Sequence, residues 1–116
     1  MMSNVIVPPK DPNEIKPYHV VWCDKDGTND GSANDDGELQ SATISTSTWT
    51  VPTGLTEQSS NKNAVTIKGV SYLINTVATI WVSGGTAGND YDVLNRVVLS
   101  DGRTLDKTIT IPVRDK

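Results

Sequence analysis

The sequence has no phenylalanine, one cysteine and one histidine among its 116 residues. A single cysteine excludes a disulfide within the chain, and the place of Cys23 at the end of an apolar run favours a small buried side chain over a nucleophile or metal ligand. His19 lies in a predicted strand, without a second histidine or an activated cysteine, so no nucleophile–base pair is available. These absences argue against an enzyme.

Long apolar runs and clusters of basic residues are also absent. No stretch approaches the roughly 20 apolar residues of a membrane-spanning helix, and the start of the chain lacks the apolar region of a secretory signal. The formal net charge is −4, and the basic residues are scattered rather than grouped as in a nucleic-acid footprint. We therefore expect neither a membrane nor nucleic acid as partner, and synthesis in the cytoplasm.

Threonine, serine, valine and isoleucine are abundant instead, and most of these residues suit pleated sheets. Short apolar segments recur between clusters of turn-forming residues, and no segment has a helical period. The predicted strands lie at 18–23, 38–51, 55–59, 64–67, 72–83, 91–100 and 105–113. We predict an all-β fold, an immunoglobulin-like β-sandwich over residues 18–116, with a barrel or jelly roll as the alternative.

The strand pattern makes further predictions about topology. The segment 72–83 carries apolar residues on both faces, which predicts a central strand or an outer face that is covered. The turn at Gly84, Gly85 and Gly88 is interpreted as a hairpin corner, and the last three strands as a meander. A change of parity near Ser45 predicts a bulge, and Pro112 predicts an edge strand or a bulge.

Residues 1–17 are predicted to form an extended, proline-rich N-terminal arm. Pro8, Pro9, Pro12 and Pro17 lack the N–H of a sheet ladder and stiffen the chain toward polyproline II. We expect such an arm to be disordered or to lie against another protein. Its removal should then leave the sandwich folded.

A polar loop after the first strand holds the only candidate metal site. Asp24, Asp26, Thr28 and Asp30 fall at alternating positions, and this spacing can place oxygen ligands around Ca²⁺, with Asp24, Asp26 and Asp30 as the carboxylate ligands. An EF-hand requires glycine at its sixth position and glutamate at its twelfth, where this loop has Asn29 and Asp35, and no helices flank it. The alternative is a solvated loop of turn formers. Calcium is the only cofactor that the sequence suggests.

The three tryptophans allow two interpretations. Trp22, Trp49 and Trp81 could provide the bulk of the core in a protein without phenylalanine, or they could form a platform on which sugar rings stack. We predict that at least two of them are core residues. An exposed tryptophan would favour carbohydrate binding.

Taken in chain order, six phrases resemble a family of small structural proteins of tailed bacteriophages, the fiber–tail adaptors. They are KDPNE (10–14), STWTVPTGL (47–55), ATIWVSGGTAG (78–88), YDVLNR (91–96), SDGRTLDK (100–107) and ITIPVRDK (109–116). The resemblance implies a non-enzymatic virion component, present in several copies, that joins a fiber to the tail or portal region. The family has no catalytic residues, so the resemblance implies none in this chain. It also implies synthesis in the host cytoplasm followed by incorporation into the virion.

Two other functions stay open at this point. A sandwich with an arm could also serve as a capsid decoration protein that contacts the major capsid protein. A carbohydrate- or calcium-binding module that recognises a host surface is the third possibility. The three differ in where the protein lies on the particle and in whether ligand binding depends on the aspartates or on an exposed tryptophan.

Overall fold

A computed structural model of the protein describes residues 5–31 and 37–115, with the side chains of Val5 and Ile6 left out. Over these ranges the chain forms strands and turns without a helix. The nine strands are β1 (Val5–Ile6), β2 (Lys16–Val21), β3 (Ile44–Thr50), β4 (Leu55–Asn61), β5 (Val65–Ile67), β6 (Val70–Tyr72), β7 (Val77–Gly84), β8 (Asp90–Leu99) and β9 (Thr104–Pro112). The predicted all-β class is confirmed.

Two sheets enclose the core. One has the strand order β1-β9-β8-β3 and the other β2-β7-β4, while β5 and β6 form a separate hairpin. Alternate residues of the long strands point inward, as the period of a half-buried strand requires. The fully buried apolar side chains come from both sheets and include Val82, Ile80 and Ala78 of one sheet and Val93, Val97 and Ile111 of the other.

Strand β7 is the centre of its sheet, as its two apolar faces predicted. It pairs antiparallel with β2 on one side and β4 on the other. The predicted meander of the last three strands is wrong, because β7 does not pair with β8. Only β8 and β9 form a hairpin there, closed by the predicted turn at Asp101–Gly102.

The glycine turn after β7 therefore connects the two sheets, and the hairpin corner predicted there is also wrong. Gly85 has a φ of 96°, in the left-handed region that side chains disfavour. A Cβ at Gly85 would lie 2.7 Å from a Val113 methyl carbon. The glycine thus lets the chain cross against the end of the other sheet, a contact between sheets that hydrophobic alternation does not reveal.

One local prediction about strand irregularity is confirmed, and a tight turn joins two of the short strands. The register of β3 against β8 shifts between Ile44 and Thr46, at the bulge predicted near Ser45. Lys68 and Gly69 both have positive φ, 49° and 84°, as the two-residue turn of a tight hairpin requires. That turn joins β5 to β6.

The N-terminal segment packs on its own domain, contrary to the expectation that it is disordered or lies on another protein. Strand β1 pairs in parallel with β9, and Lys10 forms a further bridge to Val113. Lys10 is fully buried, and its Nζ donates to the carbonyl of Gly84 at 2.7 Å. The N-terminal segment therefore covers strand β9, so β9 is not the edge strand that Pro112 predicted. The edge on this side of the sheet is β1.

A polar bridge crosses the core between the two sheets. Trp22, which follows β2, is fully buried and donates its indole N–H to Asn95 Oδ1 of β8 at 2.9 Å. Asn95 Nδ2 in turn donates to Ser47 Oγ and to the carbonyl of Thr48, at 3.0 and 3.2 Å. Because buried polar groups without partners are costly, this chain of bonds fixes how the sheets face each other.

Candidate binding site and contact surfaces

The aspartates predicted as calcium ligands are used in turns. Asp24 is buried, and its Oδ1 accepts the backbone N–H of Asp26 at 3.1 Å. Asp26 Oδ1 accepts both the N–H and the hydroxyl of Thr28, and these bonds lower the pKa of Asp26. Asp30 is exposed. Side chains that bond their own backbone in this way stabilise the loop without any ligand.

Within residues 5–31 and 37–115, no group of three or more His, Cys, Asp or Glu side chains is placed to hold a metal ion. The calcium prediction for Asp24, Asp26 and Asp30 stays a prediction. It would be supported if Ca²⁺ but not Mg²⁺ raises the melting temperature, and if Asp26→Asn removes this increase. An unchanged melting temperature would remove it.

The tryptophans divide as predicted, with two in the core. Trp22 is 0% and Trp49 is 7% exposed, whereas Trp81 is 39% exposed. The cation of Lys107 lies 4.9 Å from the Trp22 ring centroid, which closes the rim of the core above that indole. Trp81 is therefore the aromatic side chain available to a ligand.

Trp81 lies in a cavity of about 310 Å³ on the outer face of the β2-β7-β4 sheet. Its floor consists of cross-strand neighbours from two successive rows of this face: Pro17 beside Trp81 in the first, and His19, Thr79 and Asn61 in the second. The turn from β4 to β5 forms a wall with Asn63, Ala64 and Val65. The cavity thus combines one indole with two amides, an imidazole and a hydroxyl.

His19 is held in this face by a hydrogen bond. Its Nδ1 lies 2.8 Å from Thr79 Oγ1, and Thr79 is buried. Burial lowers the pKa of His19 below its ordinary value of 6.5, so the imidazole is mostly neutral at neutral pH. A neutral imidazole has one donor and one acceptor nitrogen, of which Thr79 uses one.

The large apolar side chains that are exposed, other than Trp81, lie at the two ends of the sandwich. Ile15 is 61% exposed and directly precedes β2. Leu73 and Ile74 are 64% and 59% exposed, in a loop whose Thr76 carbonyl accepts the N–H of Trp22, just after β2. Strand β2 has 6 residues, which separates the two spots by about 20 Å.

The sequence indicated some of these residues and not others. The parity of β7 placed Trp81 and Thr79 on one face, and an exposed tryptophan was the stated condition for a ligand site. Asn61 and Asn63 lie between the predicted strands 55–59 and 64–67, and nothing in their spacing places them beside Trp81. The signal that could have found them is the register of β4 against β7, which contains a bulge.

Comparison with known proteins identifies the family. The family described as podophage GP4 fiber-tail adaptor protein gp77 matches residues 10–112. The chain belongs to this family. The match confirms the resemblance carried by the six sequence phrases and covers every strand of this fiber–tail adaptor family member from β2 to β9. No curated protein and no solved structure matches the chain significantly, and within the described residues no helix is long and apolar enough to cross a membrane.

Proposed function

We propose that the protein is a non-enzymatic virion component that joins a fiber to the tail or portal region of a bacteriophage. The observation that carries this proposal is the family match over residues 10–112, which spans the second half of the N-terminal segment and the strands from β2 to β9. A bacteriophage tail is then where the protein acts, after synthesis in the host cytoplasm. Its partners are other virion proteins.

A joining role needs two separate contact surfaces on one rigid body, and the sandwich offers them. Ile15 lies at one end, and Leu73 with Ile74 at the other. Exposed apolar side chains are favourable to bury against a partner, and side chains at opposite ends can contact different partners at the same time. The pairing of β2 with β7 along its whole length keeps the two ends in a fixed relation.

We infer that the sandwich is of the immunoglobulin type. Its two sheets have the orders β1-β9-β8-β3 and β2-β7-β4. If β1 is a displaced part of the first strand and β5-β6 is an inserted hairpin, this order corresponds to the A-G-F-C and B-E-D arrangement of such domains. A solved structure that superposes with the same strand order would test the inference.

The proposal includes several copies per particle. A chain of this size has a small contact surface with each partner, and modest contacts add up when several copies bind one assembly. A rigid domain also loses little conformational freedom on docking, which lowers the entropic cost of association. Quantification of this chain against the major capsid protein in purified particles would give the copy number.

The experiment that tests the function is labelling of intact virions with gold-conjugated antibody, observed by electron microscopy. We expect gold at the tail or at the vertex where the tail attaches. Gold distributed over the head would contradict the adaptor role and support capsid decoration. If intact particles are unlabelled, disrupted particles distinguish a buried connector, which labels, from a protein that is outside the virion, which does not.

A further inference from the structure

We propose that the cavity at Trp81 binds a neutral saccharide, with the indole as stacking surface and the amides of Asn61 and Asn63 as hydrogen-bonding groups. The site lies on the outer face of the β2-β7-β4 sheet, and Ile15, Leu73 and Ile74 are not among its lining residues. This inference goes beyond the proposed joining role and does not depend on it.

The placement of Trp81 is the first argument. Strand β7 presents Val77, Thr79 and Trp81 to the same outer face, and Val77 and Thr79 are 0% and 4% exposed whereas Trp81 is 39% exposed. Val65, in the wall of the cavity, lies beside the indole and does not cover it. The fold therefore covers one part of this face and leaves its largest aromatic side chain open to solvent, in a concave setting.

The chemistry of the cavity wall is the second argument. Its residues carry no formal charge once His19 is neutral: Pro17, His19, Asn61, Asn63, Ala64, Val65, Thr79 and Trp81. An anionic ligand would lack a cationic partner there, and a metal ion would lack carboxylates. A sugar ring offers what remains, an apolar C–H face for the indole and hydroxyl groups that both donate and accept hydrogen bonds.

The polar groups are available to such a ligand. Asn61 Oδ1 accepts the backbone N–H of Asn63 at 3.1 Å, which orients the Asn61 amide and leaves its N–H donors facing no bonded partner among the described residues. The Asn63 side chain makes no hydrogen bond within the described part of the chain either. His19 has one ring nitrogen beyond the one that contacts Thr79.

Size and shape favour a sugar over an extended peptide. A volume of about 310 Å³ is at the lower end of the roughly 300–1,000 Å³ of small-molecule sites. Grooves that bind proline-rich peptides are lined by several aromatic side chains in a row. The cavity wall has one aromatic ring besides the imidazole, which suits one or two sugar rings.

The test is a titration of the ¹⁵N-labelled full chain, followed by NMR, with D-glucose, D-galactose, D-mannose, L-rhamnose and N-acetyl-D-glucosamine. We expect at least one sugar to give saturable shifts in the Trp81 indole N–H and in the Asn61 and Asn63 side-chain amides, with a Kd in the millimolar range. Asn61→Ala should weaken binding about tenfold, equivalent to about 1.4 kcal/mol.

Matched variants separate stacking from general effects on the fold. Trp81→Ala should abolish the shifts and Trp81→Phe should restore part of them, while both keep a dispersed spectrum. Leu73→Ala changes an exposed apolar side chain elsewhere and should bind as the wild type does. The proposal is overturned if no sugar shifts these signals, if binding survives Trp81→Ala, or if a polyproline peptide shifts them and no sugar does.

Discussion

At the scale of single residues, a few polar groups inside the core determine how the two sheets are arranged. Asn95 is fully buried and accepts the N–H of Trp22 while donating to β3. Trp49 Nε1 is a buried donor without a partner among the described residues. A bonded amide bridge stabilises one arrangement of the sheets, because any other arrangement leaves several buried groups unsatisfied.

The Asn95 bridge gives the first prediction. Asn95→Leu should lower the free energy of unfolding by about 1–3 kcal/mol, because the buried indole N–H of Trp22 loses its acceptor. Urea unfolding measures the loss. In the Trp22→Phe background, which has no indole N–H, Asn95→Leu should be less destabilising. Equal losses in both backgrounds would show that the bond contributes nothing.

His19 gives a prediction about pH. Burial lowers its pKa in the folded protein, and the side chains of Lys16 and Lys68 line a second cavity beside it. The unfolded chain therefore binds more protons than the folded one as the pH falls through about 6.5, and stability decreases.

We expect the melting temperature to fall between about pH 7.5 and pH 5.5, and to fall less in His19→Gln. Hydrogen bonds from Arg103 and Arg96 lower the pKa of the exposed Asp101 and of the half-buried Asp106 from 3.8, so their titration belongs to more acidic conditions. An identical decline in the wild type and His19→Gln would assign the loss to other groups.

At the scale of elements, the N-terminal segment behaves as part of the sheet rather than as an arm. Its backbone hydrogen bonds join it to β9 and to the residues that follow β9. The N–H groups of Val7 and Lys10 donate to the carbonyls of Thr110 and Pro112, and the N–H of Arg114 donates to the carbonyl of Lys10. The Tyr18 hydroxyl also donates to the Pro8 carbonyl at 3.0 Å, and burial raises the pKa of Tyr18 to about 12. The phenol therefore stays a donor at any pH that the virion meets.

Removal of residues 1–10 should lower the free energy of unfolding by roughly 2–4 kcal/mol. Each lost hydrogen bond contributes about 0.5–1.5 kcal/mol, and the entropy of ordering the segment offsets part of the sum. Chemical denaturation compares this truncation with one that removes residues 1–4 alone, which keeps all these bonds. Equal stability of the two truncations would restore the prediction from the sequence, in which the sandwich folds without the arm.

The sequence predicted strands better than their arrangement. Alternation and turn residues placed β4, β8 and β9 and the central role of β7, because these depend on neighbours along the chain. The crossing at Gly85 and the pairing of β1 with β9 depend on contacts between distant segments. The same limit applies to the candidate site, where Trp81 could be named from its strand and Asn61 could not.

At the scale of the whole molecule, the proposed joining role requires the protein to bind two neighbours without losing its own structure. The surface ion pair of Arg96 and Asp106 on the outer sheet face is exposed, and such pairs contribute little to stability. The exposed apolar residues at the two ends are different, since burying them against a partner is favourable while the free domain gains little from them.

The two ends therefore give the last prediction. We compare two variants: Ile15→Ser, and the double change Leu73→Ser with Ile74→Ser. Each should change the free energy of unfolding by no more than about 0.5 kcal/mol, as is usual at surface positions. Phage that lack the gene are complemented with each variant, and purified particles are assayed for this protein and for the fiber. One variant should yield particles without either protein, because the contact with the tail is lost. The other should yield particles that keep the adaptor and lack the fiber. The control is Thr48→Ser, which changes an exposed residue on a sheet face and should give the same particles as the wild type.

If both end variants give normal particles, the ends are not the contact surfaces, and the contacts lie on the sheet faces instead.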